Sequence, residues 1–82
     1  MTTPESHVLL DERGSRCPLP IIALSKALVG LAPASIVEII ADDPAAEADI
    51  PAWCRLKGAQ VVESFAAIDG QGGVHYVVQL PG

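Results

Sequence analysis

The chain has 82 residues and a mass of 8.5 kDa, which is enough for one small domain over residues 1–82 and too little for two hydrophobic cores. Half of the residues are hydrophobic and only 18% are charged, a composition that excludes an intrinsically disordered chain. Ten acidic residues against five basic ones leave a formal net charge of -5, which disfavours direct binding to DNA or RNA and suits basic protein partners.

A strand and a helix are predicted in the first third of the chain. The apolar run from His7 to Asp11 predicts a strand, and a turn follows it at Gly14. Pro18 and Pro20 indicate the start of a helix, because N–H groups in a first helical turn have no intrahelical acceptor and proline lacks that group. Apolar residues then recur at helical spacing until Gly30, which predicts the end of this helix.

A second strand and a second helix follow. The β-branched, nearly all-apolar run from Ser35 to Ala41 is typical of a central strand that is buried on both faces. Asp42 and Asp43 before Pro44 predict a helix N-cap with proline at the first helical position. The helix is expected to cover Ala45 to Lys57 and to end at Gly58.

Two further strands complete the predicted fold. Pro51 lies inside the second helix and is expected either to kink it or to divide it. Gln60 to Ala67 and Val74 to Leu80 have strand patterns, and the glycine-rich segment from Ile68 to Gly73 predicts a hairpin between them. The order is therefore βαβαββ. Right-handed crossovers place both helices on one face of the sheet, which gives a two-layer α/β sandwich.

Cysteine usage and targeting signals predict a cytoplasmic protein without a membrane segment. Met1 to Ser6 lack the positively charged region of a secretory signal. Pro18 to Val37 is poor in charge, but Lys26 near its middle would cost about 2.5–3.5 kcal/mol at the centre of a bilayer. Two cysteines permit at most one disulfide, and a chain with this apolar fraction does not need a disulfide framework.

The loop before the first helix carries the residues with the clearest chemical use. Cys17 lies at or next to the predicted N-cap, where the helix dipole and free N–H groups favour the thiolate. Arg13 and Arg16 add positive charge, and Pro18 and Pro20 stiffen the presentation of the sulfur. A thiolate here could attack an electrophilic sulfur or carry a sulfur atom as a persulfide. The residues alone leave open a small buried cysteine in a tight turn.

Two groups of residues resemble the TusA/SirA-type sulfur-carrier family, whose members share a Cys-Pro-x-Pro element after the first strand. The first group is Leu10, Asp11, Arg13, Gly14, Cys17, Pro18 and Pro20. The second group is Ala41, Asp42, Asp43, Pro44, Asp49, Ile50, Pro51, Trp53 and Cys54. The resemblance covers residues 9 to 54 and implies a two-layer βαβαββ sandwich with a mixed four-stranded sheet.

The resemblance also implies a function. Cys17 would accept sulfur as a persulfide from a cysteine desulfurase or a rhodanese-like donor and pass it to a downstream acceptor protein, without an organic cofactor. The loop around Cys17, from Arg13 through Pro20, and Asp42 or Asp43 would form the docking face. Leu19 stands where members of the family that serve tRNA thiolation are expected to carry an acidic residue. The pathway therefore stays open between tRNA thiolation, cofactor supply and sulfur oxidation.

Other patterns predict supporting or structural roles. Asp42 and Asp43 either cap the second helix or lie near the thiol, because the turns that follow two parallel strands meet at one edge of a sheet. Two adjacent carboxylates without clustered His or Cys ligands do not make a metal site, so no metal is predicted. His7 and His75 lack ligand spacing and are expected at the surface.

Two other functional classes are open to the same sequence. A dithiol redox protein would pair Cys17 with Cys54, although the position of Cys54 between Trp53 and Leu56 is typical of a buried, inert cysteine. A non-catalytic interaction domain would bind a protein through its open sheet face or its acidic surface.

Overall fold

A computed structural model describes residues 7–16 and 18–82, so that Met1 to Ser6 and Cys17 lie outside the described residues. The elements follow the predicted order βαβαββ. They are β1 (His7–Asp11), α1 (Leu19–Gly30), β2 (Ile36–Ala41), α2 (Ala46–Lys57), β3 (Gln60–Ala66) and β4 (Val74–Gln79).

The four strands form one mixed sheet in the order β1-β2-β4-β3. β1 and β2 are parallel, with Val8 opposite Val37, whereas β4 is antiparallel to both β2 and β3. The two strands of the predicted hairpin pair with each other, and β4 rather than β3 lies beside β2. β2 and β4 are therefore the inner strands, and their fully buried residues are Val37 and Ile39 on β2 and Val78 on β4.

Both helices pack against one face of this sheet and enclose a single core. The core combines alternate residues of β2 and β4 with the inner faces of the helices; its buried members are Leu24, Val37, Ile39, Ala41, Ala46, Ile50, Trp53, Cys54, Tyr76, Val78 and Leu80. Each fully buried aliphatic side chain contributes about 1.5–3 kcal/mol of transfer free energy. Across the helices, the indole N–H of Trp53 donates a hydrogen bond to Oγ of Ser25 at 3.1 Å. The two-layer α/β sandwich is confirmed.

The opposite face of the sheet is partly open. His75 alternates along β4 with the buried Tyr76, so its side chain lies on this face. The rings of His75 and Phe65 stack with centroids 4.6 Å apart, and Nδ1 of His75 lies 2.5 Å from Oε2 of Glu38. Only 18% of the His75 side-chain area is exposed. His75 therefore lies on the open face but is half-buried there, because Phe65 stacks on the imidazole ring.

The start of α2 differs from its prediction. The N-cap residue is Ala45, and no side chain caps the helix. Oδ1 of Asp43 instead accepts the N–H of Ala45 at 2.9 Å, and the Asp43 carbonyl accepts the N–H of Ala46 at 2.9 Å. These bonds form a tight turn before the helix, which is a common alternative use of an aspartate. Pro44 lies inside this turn rather than at the first helical position.

Pro51 does not divide α2. The helix is continuous from Ala46 to Lys57, although Pro51 provides no N–H for the carbonyl of Glu47. Ile50 and Trp53 on either side of the proline are buried in the core, so their packing offsets the missing hydrogen bond. Each helix has 12 residues, and no helix within residues 7–16 and 18–82 is long and apolar enough to cross a membrane.

Candidate functional site

Three connecting segments meet at one edge of the sheet. Because β1 and β2 are parallel, the loop after β1 (residues 12–18) and the turn after β2 (residues 42–45) leave the sheet on the same side. β4 starts at this edge too, with Val74 opposite Ala41, so the β3–β4 hairpin (residues 67–73) returns there. The fold thus brings the loop that contains position 17 together with the predicted Asp42–Asp43 turn.

Cys17 lies outside the described residues, and its neighbours define the turn around it. The N–H of Leu19 donates to the carbonyl of Arg16 at 2.8 Å, across position 17. α1 begins at Leu19, so Pro18 immediately precedes the helix and Pro20 lies in its first turn, as predicted. Neither proline has an N–H, and that of Leu19 is already used. Pro18, Leu19 and Pro20 therefore contribute no free N–H group to a thiolate, whereas the dipole of α1 remains available to it.

Arg13 is held by two carboxylates on different segments. Its backbone N–H and Nε donate to Oδ1 of Asp11 at 3.1 and 3.0 Å, and Nη2 donates to Oδ2 of Asp11 at 2.8 Å. Nη1 donates to the carboxylate oxygens of Asp69 at 2.8 and 3.1 Å and to the carbonyl of Gly72 at 3.3 Å. The guanidinium therefore joins the end of β1 to the hairpin.

The contacts between Arg13 and its two carboxylates shift the pKa values of all three groups. Hydrogen bonds from Arg13 lower the pKa of Asp11 to about 2. The pKa of Asp69 is lowered first by the N–H of Gln71 and then by Arg13, and the pKa of Arg13 is raised by both carboxylates. The sequence predicts Arg13 as a cation that favours the thiolate of Cys17. The structure shows instead a guanidinium whose charge is balanced by two carboxylates.

Gly14 connects the same loop to the end of β2. Its N–H lies 3.0 and 3.1 Å from the two carboxylate oxygens of Asp42, and the N–H of Glu12 donates to the carbonyl of Ile40 at 2.8 Å. The φ angle of Gly14 is +86°, a left-handed conformation that costs other residues free energy. Asp42 thus anchors the loop rather than the start of α2.

A shallow open groove of about 510 Å³ separates the loop from the turn. It is lined by Gly14, Ser15, Arg16, Asp42, Asp43 and Pro44. Arg16 is exposed and takes part in none of the ion pairs formed within residues 7–16 and 18–82. Of the two predicted arginines, Arg16 is the one whose charge is available to an anion in this groove.

A second groove of about 360 Å³ adjoins the first and is acidic on one side. Asp42, Asp43 and Glu47 provide its carboxylates, and Ser64 and Tyr76 line it from the sheet. No group of three or more His, Cys, Asp and Glu side chains in the described part of the chain is placed to hold a metal ion. The carboxylates instead give this side of the site a negative surface.

Cys54 is a buried free thiol. Only 2% of its area is exposed, and it belongs to the hydrophobic core. Burial raises the pKa of the Cys54 thiol, against a smaller opposite effect of the Arg55 charge. A raised pKa and a buried sulfur both disfavour the thiolate that disulfide exchange requires.

Sequence reasoning missed the contribution of the hairpin. The sequence predicts Asp69 and Gly73 only as parts of a turn, whereas in the structure Asp69 binds Arg13 and Gly73 lies against the Arg13 side chain. A Cβ atom at position 73 would lie 3.1 Å from Cδ of Arg13 and 3.2 Å from the carbonyl oxygen of Ala41. No local sequence signal marks this contact, because its partners are far apart in the chain.

Comparison with known proteins places the chain in a family. The family model for sulfurtransferase TusA matches residues 8–80. The sulfur carrier protein TusA of Pseudomonas paraeruginosa is 38% identical over 63 residues, which cover 77% of this chain and 78% of the relative. A putative sulfur carrier protein of Archaeoglobus fulgidus is 42% identical over 71 residues, which cover 87% of this chain and 90% of the relative.

A solved structure supports the fold independently. The crystal structure of a SirA-like protein from Desulfitobacterium hafniense superimposes with a TM-score of 0.71 at 21% sequence identity, covering 92% of this chain and 99% of the other. The four-stranded mixed sheet with two helices is thus shared with that protein. The family match extends through both parallel strands, the site loop and the hairpin. On this evidence, the chain belongs to the TusA family.

Proposed function

We propose that this protein is a sulfur carrier in which Cys17 alternates between a thiol and a persulfide. The match of the TusA family model to residues 8–80, with the Cys-Pro-x-Pro element at Cys17 to Pro20, is the observation that carries this proposal. The match with this chain also covers most of the length of two relatives that are named as sulfur carriers. The anchored loop at the sheet edge supports it structurally.

The transfer would proceed by thiol–persulfide exchange. The Cys17 thiolate attacks the terminal sulfur of a donor persulfide, a new S–S bond forms at Cys17, and the donor leaves as a thiolate. An acceptor thiolate then attacks the terminal sulfur on Cys17, and Cys17 leaves as a thiolate. Each step breaks one S–S bond and forms another, so no external oxidant or reductant is consumed.

The residues around position 17 have distinct roles in this proposal. Arg16 is the cation that favours the thiolate, because it is exposed beside the groove and its charge is not balanced within the described residues. Pro18 and Pro20 fix the first turn of α1, and the Gly14–Asp42 contact fixes the preceding loop.

Protein partners would bind at the same edge. We propose a cysteine desulfurase or a rhodanese-like protein as donor and a thiol-bearing protein as acceptor, in a cytoplasmic relay that leads to tRNA thiolation, cofactor supply or sulfur oxidation. The carboxylates Asp42, Asp43 and Glu47 line a groove beside the loop and suit a basic partner surface. Association should therefore weaken as salt concentration rises.

Mass spectrometry of the intact protein tests the proposal directly. After incubation with a cysteine desulfurase and cysteine, we expect an adduct of about 32 Da, the mass of one sulfur atom, on Cys17. Cys17→Ser should remove the adduct, whereas the matched control Cys54→Ala should keep it, because Cys54 is buried. An adduct on neither cysteine with both a desulfurase and a rhodanese as donor would overturn the proposal.

The variants Cys17→Ser and Cys54→Ala also test the two alternative functions, a dithiol redox protein and a non-catalytic interaction domain. A dithiol protein would lose two hydrogen masses on oxidation and would lose function in Cys54→Ala, and the buried thiol with a raised pKa argues against both results. A pure interaction domain would keep its partner affinity and its biological activity in Cys17→Ser. The sulfur carrier would keep the affinity and lose the transfer.

A further inference from the structure

We infer that Asp69, on the β3–β4 hairpin, is a positioning residue for sulfur transfer at Cys17 and acts by holding Arg13 in the loop before the cysteine. This inference rests on the sulfur-carrier function proposed above. We use the name hairpin clamp for Asp11, Arg13 and Asp69. Asp69 thus has a role at Cys17 although the two residues lie far apart in the sequence.

The clamp uses every nitrogen of the guanidinium. Nε and Nη2 of Arg13 bind Asp11, and Nη1 binds Asp69 and the carbonyl of Gly72. The Arg13 side chain is only 14% exposed although it lies on a connecting loop. The bidentate contact with Asp11 fixes the direction of the guanidinium as well as its distance, and it points Nη1, the nitrogen that binds both oxygens of Asp69, towards the hairpin.

Arg13 is the hydrogen-bonded link between the two segments. Among the hydrogen bonds described for residues 7–16 and 18–82, those from Arg13 join the loop at residues 12–16 to the hairpin at residues 67–73, and no other does. The hairpin itself is closed by the N–H of Ala67 donating to the carbonyl of Gly73 at 3.0 Å. The Asp69 carboxylate also accepts the N–H of Gln71 at 3.0 Å, and the Gly72 carbonyl keeps a longer bond of 3.3 Å from Arg13. Removing the Asp69 carboxylate should therefore weaken the link between the loop and the hairpin, while the bond between Ala67 and Gly73 keeps the hairpin closed.

The shape of the hairpin fits the arginine. Gly73 has a φ angle of +94° and lies so close to Arg13 that a side chain there would press on Cγ and Cδ at 3.2 and 3.1 Å. The backbone thus passes directly against the aliphatic part of Arg13. The neighbouring contact between Gly14 and Asp42 holds the next residue of the loop to β2. The chain leading to position 17 is consequently held at two successive residues.

The balance of charge favours a positioning role over an electrostatic one. Two carboxylates surround one guanidinium, so the clamp adds no net positive charge that would favour a thiolate at position 17. Sulfur exchange between two proteins requires the attacking sulfur, the transferred sulfur and the leaving sulfur to align. A loop that is less well fixed should slow this exchange while leaving attack on a small, freely diffusing reagent nearly unchanged.

The test compares Asp69→Asn with Asp49→Asn. Both substitutions remove one negative charge from an exposed position, but the side chain of Asp49 on α2 forms none of the hydrogen bonds or ion pairs of the clamp. Two rates are measured for each protein: sulfur loading from a cysteine desulfurase with cysteine, and alkylation of Cys17 by iodoacetamide as a function of pH. Equal denaturation midpoints confirm that both variants are folded.

We expect Asp69→Asn to load sulfur about tenfold more slowly than Asp49→Asn, an effect typical of a modest loss of alignment. The pH profile of alkylation should stay the same, and Asp69→Glu should recover part of the loading rate. If Asp69→Asn instead loads as fast as Asp49→Asn, or if its alkylation profile moves to lower pH because Arg13 has become free to act on the thiol, the inference is overturned.

The wild-type protein separates this inference from the proposed function. If the wild-type protein takes up no sulfur, the proposed function fails and the positioning role fails with it. If the wild-type protein and Asp49→Asn both load sulfur and Asp69→Asn loads equally fast, only the role of Asp69 fails.

Discussion

The helix-covered core and the loop edge of this small domain are held together by different forces. In the core, residues such as Leu24, Ile39 and Ile50 are completely buried and apolar. At the loop edge, Arg13 and Asp42 hold the chain through hydrogen bonds and ion pairs to groups that are mostly exposed. The loop edge should therefore respond to acid and to salt, whereas the core should not respond to acid, because burial raises the pKa of its titratable members Cys54 and Tyr76.

This difference suits the division of labour proposed for the protein. A close-packed core provides a rigid support, and residues on loops at its edge can be held in position and still remain accessible to partners. Substitutions in the core should change global stability, and substitutions at the loop edge should change the transfer rate more than stability. Three predictions, in order of decreasing effect on the free energy of unfolding, test this comparison.

Ile39→Ala should produce the largest loss of stability. Ile39 lies on β2 with no exposed area, so truncation removes buried methyl groups and leaves a cavity. We expect a loss of about 2–5 kcal/mol in the free energy of unfolding, measured by urea denaturation. Val29→Ala is the control, because Val29 is apolar but 88% exposed, and it should change stability by less than about 0.5 kcal/mol. Equal losses in both variants would contradict the location of the core.

Gly14→Ala should produce a smaller loss that is confined to the loop edge. A Cβ at this position meets no atom within 4 Å, so the cost arises from the φ angle of +86° alone and should be about 1–2 kcal/mol. Gly30→Ala at the end of α1 is the control, because its Cβ also meets nothing and an alanine favours the helix. Hydrogen exchange should show faster opening around residues 12–16 in Gly14→Ala. No change there would indicate that the loop is not held in this conformation.

Acid should weaken the loop edge before it affects the core. The pKa of Asp11 is about 2 in the folded protein against an ordinary value of 3.8, so its stabilising contribution is complete above 3.8 and is lost as the pH falls towards 2. The effect on stability should be small because the carboxylate is exposed. Urea midpoints over this range should fall less in Arg13→Gln than in the wild-type protein, and in both less steeply at high salt. An equal fall in both proteins would assign the acid sensitivity to other groups.

Local patterns in the sequence predict most of the helices, strands and turns of the fold. Proline at the start of α1, Gly58 at the end of α2 and the glycines between β3 and β4 each act within a few residues of themselves. Alternating or continuous apolar runs identified the strands for the same reason. The prediction that was wrong, a side-chain cap at the start of α2, also concerns a local feature, because an aspartate such as Asp43 can either cap a helix or close a tight turn.

The amino-acid sequence by itself determined the order of the elements and the Cys-Pro-x-Pro element at the start of α1, because periodicity and turn chemistry are short-range properties. Tertiary structure decided that β4 lies between β2 and β3 and that Arg13 binds Asp69, 56 residues away, rather than standing free beside Cys17. It also joined Gly14 to Asp42 across 28 residues. Such contacts depend on how the strands are arranged across the sheet, and no short-range pattern encodes that arrangement.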